Sequence, residues 1–125
     1  MELRPEEFYG EFLKRVVAAV GAVGGAVWTI ADGGRPALQC QINFQALRLA
    51  EDPEAEAGHG RLLGRVVSGG GPMLVPPRSG GENGQGANPT DWLLMLGPLG
   101  SELQTVGVME IFQRPVVAPV AQKSQ

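Results

Sequence analysis

"GVMEIFQRP", residues 107–115, is the stretch on which the fold turns. It has the apolar character of a buried strand, yet Glu110 stands in its middle and Arg114-Pro115 closes it. Side chains of a strand alternate between two faces. Val106, Val108, Glu110 and Phe112 therefore share one face, and Gly107, Met109 and Ile111 share the other. An unpaired carboxylate on a covered face costs several kcal/mol or takes up a proton. Glu110 is thus expected in a structural ion pair or at a rim, with ligand contact as the alternative. Arg114 lies on its face four residues on, and Arg48, Arg65 or His59 are the other candidate partners.

The rest of the chain supplies the elements around that strand. "WLLMLGPL" (92–99) is apolar on both faces, as for a strand covered on both sides. "GSE" (100–102) turns it into the last strand, expected over 103–113. "PMLVPP" is a short strand bounded by prolines, and 78–91 reads as a loop with a Gly-rich tip, "ENGQG". At the other end, Phe8, Phe12, Val16, Ala19, Val20 and Val23 recur every three or four residues, which predicts a helix over 5–23. Pro5, Glu6 and Glu7 suit its first turn. "AVWTIA" (26–31), the turn "DGGRP" and "ALQCQINF" (37–44) read as a hairpin. In its second strand Leu38, Cys40, Ile42 and Phe44 are expected on one face, with Gln39, Gln41 and Asn43 on the other. His59, Leu62, Leu63, Val66 and Val67 fit one side of a second helix that Gly69–Gly71 end.

Composition limits the function classes. One domain with one modest core is what 125 residues allow. With 43% hydrophobic and 18% charged residues the chain is globular in composition, and a net charge of -3 disfavours nucleic acid as a partner. No apolar run approaches the ~18 residues of a spanning helix, and the acidic, amphipathic start is unlike a signal peptide. A single cysteine, Cys40, forms no internal disulfide, so the expected setting is the cytoplasm, with no membrane partner.

An opening helix ending in "AVGAVGGAVWTI", then "HGRLLGRVVSGGGPMLVPP", "NPTDWLLMLGPL" and the closing "TVGVMEIFQRP" occur in an order that resembles a GAF domain over residues 8–115. The resemblance implies an α+β fold, related to PAS and profilin folds, with an antiparallel β-sheet flanked by helices. It places a small-molecule cavity between the sheet and the segments covering one face. It also implies a non-catalytic sensory or regulatory role, with the ligand biasing an effector elsewhere in a longer chain. Family members continue into a C-terminal helix beside the first helix. Here only ten residues follow Pro115, so 116–125 is expected to be a linker or truncated helix. The first helix would then lack a neighbour and serve a homodimer. The rival reading is a ligand-free interaction or dimerisation domain of roadblock or profilin type.

The candidate chemistry is sparse. Cys40, with no second cysteine and no His after it, reads as an apolar packing residue. His59 is the lone histidine and cannot build a typical zinc site, so it reads as a packing histidine. The Gly-rich stretches contain no phosphate-loop pattern. Without a nucleophile and base pair, an enzyme is not expected. "NPTDW" fits a turn built by Asn88 and Asp91. By the resemblance, Asn88, Thr90, Asp91 and Trp92 would also stand near the cavity mouth, although the Asn-Lys-Phe-Asp-Glu pattern of cyclic-nucleotide-binding relatives is absent. The Gln39/Gln41/Asn43 face is solvent-facing or lines a polar pocket, and Trp28 could add an aromatic wall. The candidate ligand-binding set is Trp28, Gln41, Asn43, His59, Asn88, Thr90, Asp91, Trp92 and Glu110, with no metal ligands and no cofactor specified.

Overall fold

The computed structural model describes residues 5–31, 34–80, 86–100 and 104–115. The "ENGQG" tip, the "GSE" turn, most of the "DGGRP" turn's acidic start and the tail 116–125 lie wholly or partly outside them.

Helix α1 spans Pro5–Val20 and leads into β1 (Gly24–Ile30) and β2 (Pro36–Ile42). Two short 3-10 turns, Phe44–Leu47 and Leu49–Glu51, carry the chain to α2 (Pro53–Arg65), which ends in a wider π turn at Val66–Gly70. Next come β3 (Met73–Val75), the two-residue strands β4 (Ser79–Gly80) and β5 (Ala87–Asn88), then β6 (Leu93–Gly100) and β7 (Thr105–Gln113). The expected order of helix, hairpin, helix, strand, loop and two strands holds. The loop is more structured than expected, since β4 and β5 pair within it.

The main sheet is antiparallel and runs β2-β1-β7-β6-β3. The last strand is therefore the central one. It pairs with β1 from Gly24↔Phe112 to Thr29↔Gly107, and with β6 along its other edge. Gly107 permits the close approach on the β1 side. A Cβ there would collide with the backbone carbonyl of Trp28, so a side chain is excluded by space and not by torsion.

Two cores follow from the alternation of β7. Val108 and Phe112 face α2, where Leu47, Leu49, Leu62, Leu63, Val66, Leu94 and Leu96 bury against them. Ile111 faces α1 and packs with Leu13 and Val27, with Met109 at the margin. The sheet is thus the middle layer between α1 and α2, and the face parity expected for residues 107–112 is the one observed, while Val106 is skipped at a register shift against Gly100 and is exposed.

The expected alternation of β2 is broken, and the cause is a bulge. Val27 pairs with Cys40, but the next residue, Trp28, pairs with Leu38, so Gln39 is skipped. An extra residue in one strand reverses the side-chain direction beyond it. Cys40 and Ile42 share a face as expected, and it is the face that packs on α1. Leu38 and Phe44 do not join them: both line a cavity on the opposite face with Trp28 and Gln41.

Candidate functional site

The segment between β2 and α2 is shaped by two residues in the left-handed region. Asn43 (φ 55) and Arg48 (φ 58) bracket the Phe44–Leu47 turn, and non-glycine residues adopt this conformation at a cost. Asn43 offsets that cost through its Nδ2, which donates to the Val23 carbonyl at 2.9 Å. Asp52 then caps α2, its carboxylate accepting from the Glu54 backbone N–H at 3.0 Å, and Pro53 occupies the first helical position. With its start fixed, α2 presents His59, Leu62 and Leu63 to the sheet, and the turn that follows adds Val66.

His59 and Glu110 meet there. His59 is 3% exposed and Glu110 is fully buried. His59 Nε2 and Glu110 Oε2 are 2.6 Å apart, and Trp28 Nε1–H donates to Glu110 Oε1 at 3.0 Å. Each carboxylate oxygen thus has a partner, one from α2 and one from β1. Glu110 is in a structural pair, as its place in the strand required, and His59 is the partner among those considered. Arg114 is not: it is exposed at the strand end. Arg48 bonds Glu51 instead, at 2.9 to 3.1 Å. The indole bond from Trp28 had no counterpart in the sequence reading.

These contacts hold a three-ring cluster. Trp28 and Phe44 lie edge to face with centroids 5.5 Å apart, and His59 stands 5.8 Å from Trp28 and 6.1 Å from Phe44. The cluster forms one wall of a solvent-open cavity of about 470 Å³. Leu38 and Leu49 extend its apolar surface, and Gln41, Arg48, Glu51 and Glu56 stand around it. Gln41 is anchored by accepting the Phe44 backbone N–H at 3.0 Å.

The "NPTDW" residues belong to a second, smaller cavity of about 320 Å³ on the other side of the 46–52 segment. Thr90, Asp91 and Trp92 line it. Asn88 is buried behind them. Its amide lies 2.7 to 3.0 Å from the carbonyls of Val75, Pro76 and Trp92, and its Oδ1 accepts from the Thr90 N–H and hydroxyl. That network ties β3 to β6 and leaves the Asn88 amide fully engaged. Trp92 Nε1 donates to the Ala46 carbonyl at 3.2 Å. Asp91 is exposed and accepts from Arg78 Nε at 2.8 Å, which holds its carboxyl below the usual carboxylate range. Arg48, Leu49 and Glu51 are shared by both cavities.

The sequence candidates therefore divide. Trp28, Gln41 and His59 gather at the larger cavity, with Glu110 directly behind two of them. Thr90, Asp91 and Trp92 gather at the smaller one, with Asn88 behind. Asn43 lines neither and holds the backbone. Leu38, Phe44, Leu49 and Glu56 are among the lining residues of the larger cavity that are not in the sequence-derived candidate set. The bulge and the left-handed turns place them, and no pattern in the sequence reveals either. Among the described residues no group of three or more His, Cys, Asp or Glu side chains could hold a metal ion, and no helix is long and apolar enough to cross a membrane.

No family model matches the chain, and no curated protein matches it in sequence. Solved structures do match it in shape. The GAF domain of A. aeolicus nlh2 in an inactive state is 18% identical over 99% of this chain and 75% of its own, with a TM-score of 0.61. The GAF domain of an Acinetobacter phosphoenolpyruvate-protein phosphotransferase is 13% identical over 98% and 75%, with a TM-score of 0.66. A domain assigned to a two-component sensor histidine kinase of Sinorhizobium meliloti 1021 is 14% identical over 98% and 83%, with a TM-score of 0.60. Identities this low speak to architecture alone, and on that architecture the agreement spans nearly the whole chain: it has the GAF fold.

Proposed function

We propose that this domain is a non-catalytic sensory or regulatory module whose larger cavity binds a small molecule and whose occupancy biases an effector in a longer chain. The single observation that carries this is the ring cluster of Trp28, Phe44 and His59 at an open cavity, with two of its rings bonded to the buried Glu110. Concave apolar sites with a few fixed polar groups are the usual form of ligand sites. The domains it resembles in shape include ones from a sensor kinase and a phosphotransferase, which agrees with a regulatory role.

The route outward runs through Glu110. A ligand against Trp28 and His59 acts on the two groups bonded to Glu110, and Glu110 sits on the central strand. A ligand that binds one packing of these groups better than another shifts the balance between them. Thermal-shift screening of amino acids, oxoacids, cyclic nucleotides, amines and tetrapyrroles tests the reading, with the Trp28 indole N–H resonance as a local reporter. Binding that shifts this resonance supports it. Silence across every class removes it.

A second reading, self-association through α1, rests on a separate observation. Phe8 is 54% exposed and stacks on Phe12, with ring centroids 6.0 Å apart. Phe12 also borders an apolar groove of about 370 Å³ with Met95, Leu99, Met109 and Ile111. Exposed apolar surface of this kind marks interaction faces. The two readings are compatible, since they use opposite faces of the sheet.

A further inference from the structure

The larger cavity combines aromatic surface with a surplus of negative charge, and this combination selects a ligand class. The one guanidinium among its described lining residues, Arg48, is bonded to Glu51 through Nε and an Nη. Glu56 also lines the cavity, and among the described residues no ion pair engages it. The hydrogen-bonded His59–Glu110 pair carries either no net charge or one negative charge. Among the described lining residues the wall therefore sums to a negative value, and its one guanidinium is already paired with Glu51.

Resting on the reading of this cavity as a ligand site, we infer that its ligand is a small organic cation carrying an alkylated ammonium group. A cation over an aromatic face is attracted by the ring quadrupole, most strongly for Trp. Trp28 and Phe44 provide two such rings at an angle of 71°. Alkyl groups on the nitrogen match the apolar surface of Leu38 and Leu49, and they remove N–H donors that this wall would have to satisfy. Glu56 and the Glu51 side of the rim supply the opposing charge. A phosphate or carboxylate ligand finds the reverse: two carboxylates, and an arginine it would have to take from Glu51.

The test uses three probes of one shape and different charge: choline, its neutral carbon isostere dimethylbutanol, and the anion dimethylbutanoate. Each is titrated into the 125-residue protein at low salt, with the indole N–H resonances of Trp28 and Trp92 followed separately. Choline is expected to move the Trp28 signal saturably and to bind about tenfold tighter than dimethylbutanol. Glu56→Gln, an exposed change that leaves the fold intact, should weaken choline about threefold and reduce the salt dependence. Phe44→Leu should weaken choline several-fold and leave dimethylbutanol nearly unaffected. Equal or tighter binding of the neutral or anionic probe overturns the cation inference while sustaining the cavity as a ligand site. Absence of binding by all three overturns the inference, and together with silence in the broader screen it removes the site as well.

Discussion

Glu110 on the central strand and His59 on α2 are 2.6 Å apart in the interior, although 51 residues separate them in the chain. With the Trp28 indole bond, the pair joins α2, β7 and β1 at one point. Burial makes such a contact costly to break from one side, because the remaining group keeps its desolvation without its partner. Glu110→Gln is expected to cost about 1–3 kcal/mol, and Glu110→Ala about 3–5 kcal/mol. Urea unfolding of Glu110→Gln, His59→Ala and the double variant should show a coupling energy of about 1–3 kcal/mol. Unchanged stability in Glu110→Gln with loss of ligand binding would make Glu110 a recognition residue first and a structural one second.

Gly107→Ala should destabilise the protein by about 1–3 kcal/mol, through displacement of β1 from β7. The added methyl group meets the Trp28 backbone, which cannot swing aside as a side chain can. A lower urea midpoint with an unchanged slope is the expected signature. The same change at Gly97, where nothing lies near the added atom, serves as the control.

Asn88→Asp should be more damaging than its near-identical shape suggests. The substitution aims a carboxylate at three carbonyl oxygens that now receive an amide. A loss of about 2–4 kcal/mol at neutral pH is expected from orphaned acceptors and charge burial. The loss should shrink in acid as the new carboxyl protonates. Unfolding curves at two pH values separate this from a simple loss of packing.

Asp91 gives a pH dependence of defined sign. Arg78 hydrogen-bonds it and lowers its pKa in the folded state. Its contribution to stability is therefore present above the unfolded carboxylate value of about 3.9 and is lost as pH falls through the lower folded value. The pair is exposed, so the effect is small and salt-sensitive. In Arg78→Ala, an NMR titration should find the Asp91 carboxyl moved back up toward its ordinary range.

Cys40 responds in the opposite direction. Burial raises its thiol pKa, so less thiolate is present in the folded state at a given pH. Alkylation at mildly alkaline pH should be slower in the native protein than in urea. Stability should fall as pH rises past the ordinary thiol range, because the unfolded chain ionises there first.

The sequence was most informative where a single periodicity controlled burial. Residues 107–112 alternate without interruption, and both the two-core sheet and the need for a partner at Glu110 could be read from them. The Leu62, Leu63, Val66 stripe likewise located α2 and its buried side. Reading failed where one residue of extra length reversed a pattern. The bulge at Gln39 sends Leu38 to the cavity side, and no residue type announces it, since Gln39 looks like any other member of an alternating strand. The left-handed turn at Arg48 was equally hidden, because arginine carries no preference for that conformation. The cavity depends on both features. Its aromatic wall was legible through Trp28 and His59, while the alternation of β2 puts Phe44 and Leu38 on the face of Cys40.

The central position of β7 also bears on how the protein is made. During synthesis β1 emerges early and β6 late, yet neither edge is joined until residues 105–113 have left the ribosome. Until then the nascent chain holds a β1–β2 hairpin and a β3–β6 pair with nothing between them. Each offers an open edge, the feature by which unfinished sheets find wrong partners. The pairings that close the gap span more than 75 residues from β1, and such distant pairing is intrinsically slow. A translation pause that falls after β6 has emerged and before β7 has would prolong that exposed interval, whereas one after β7 has emerged would not.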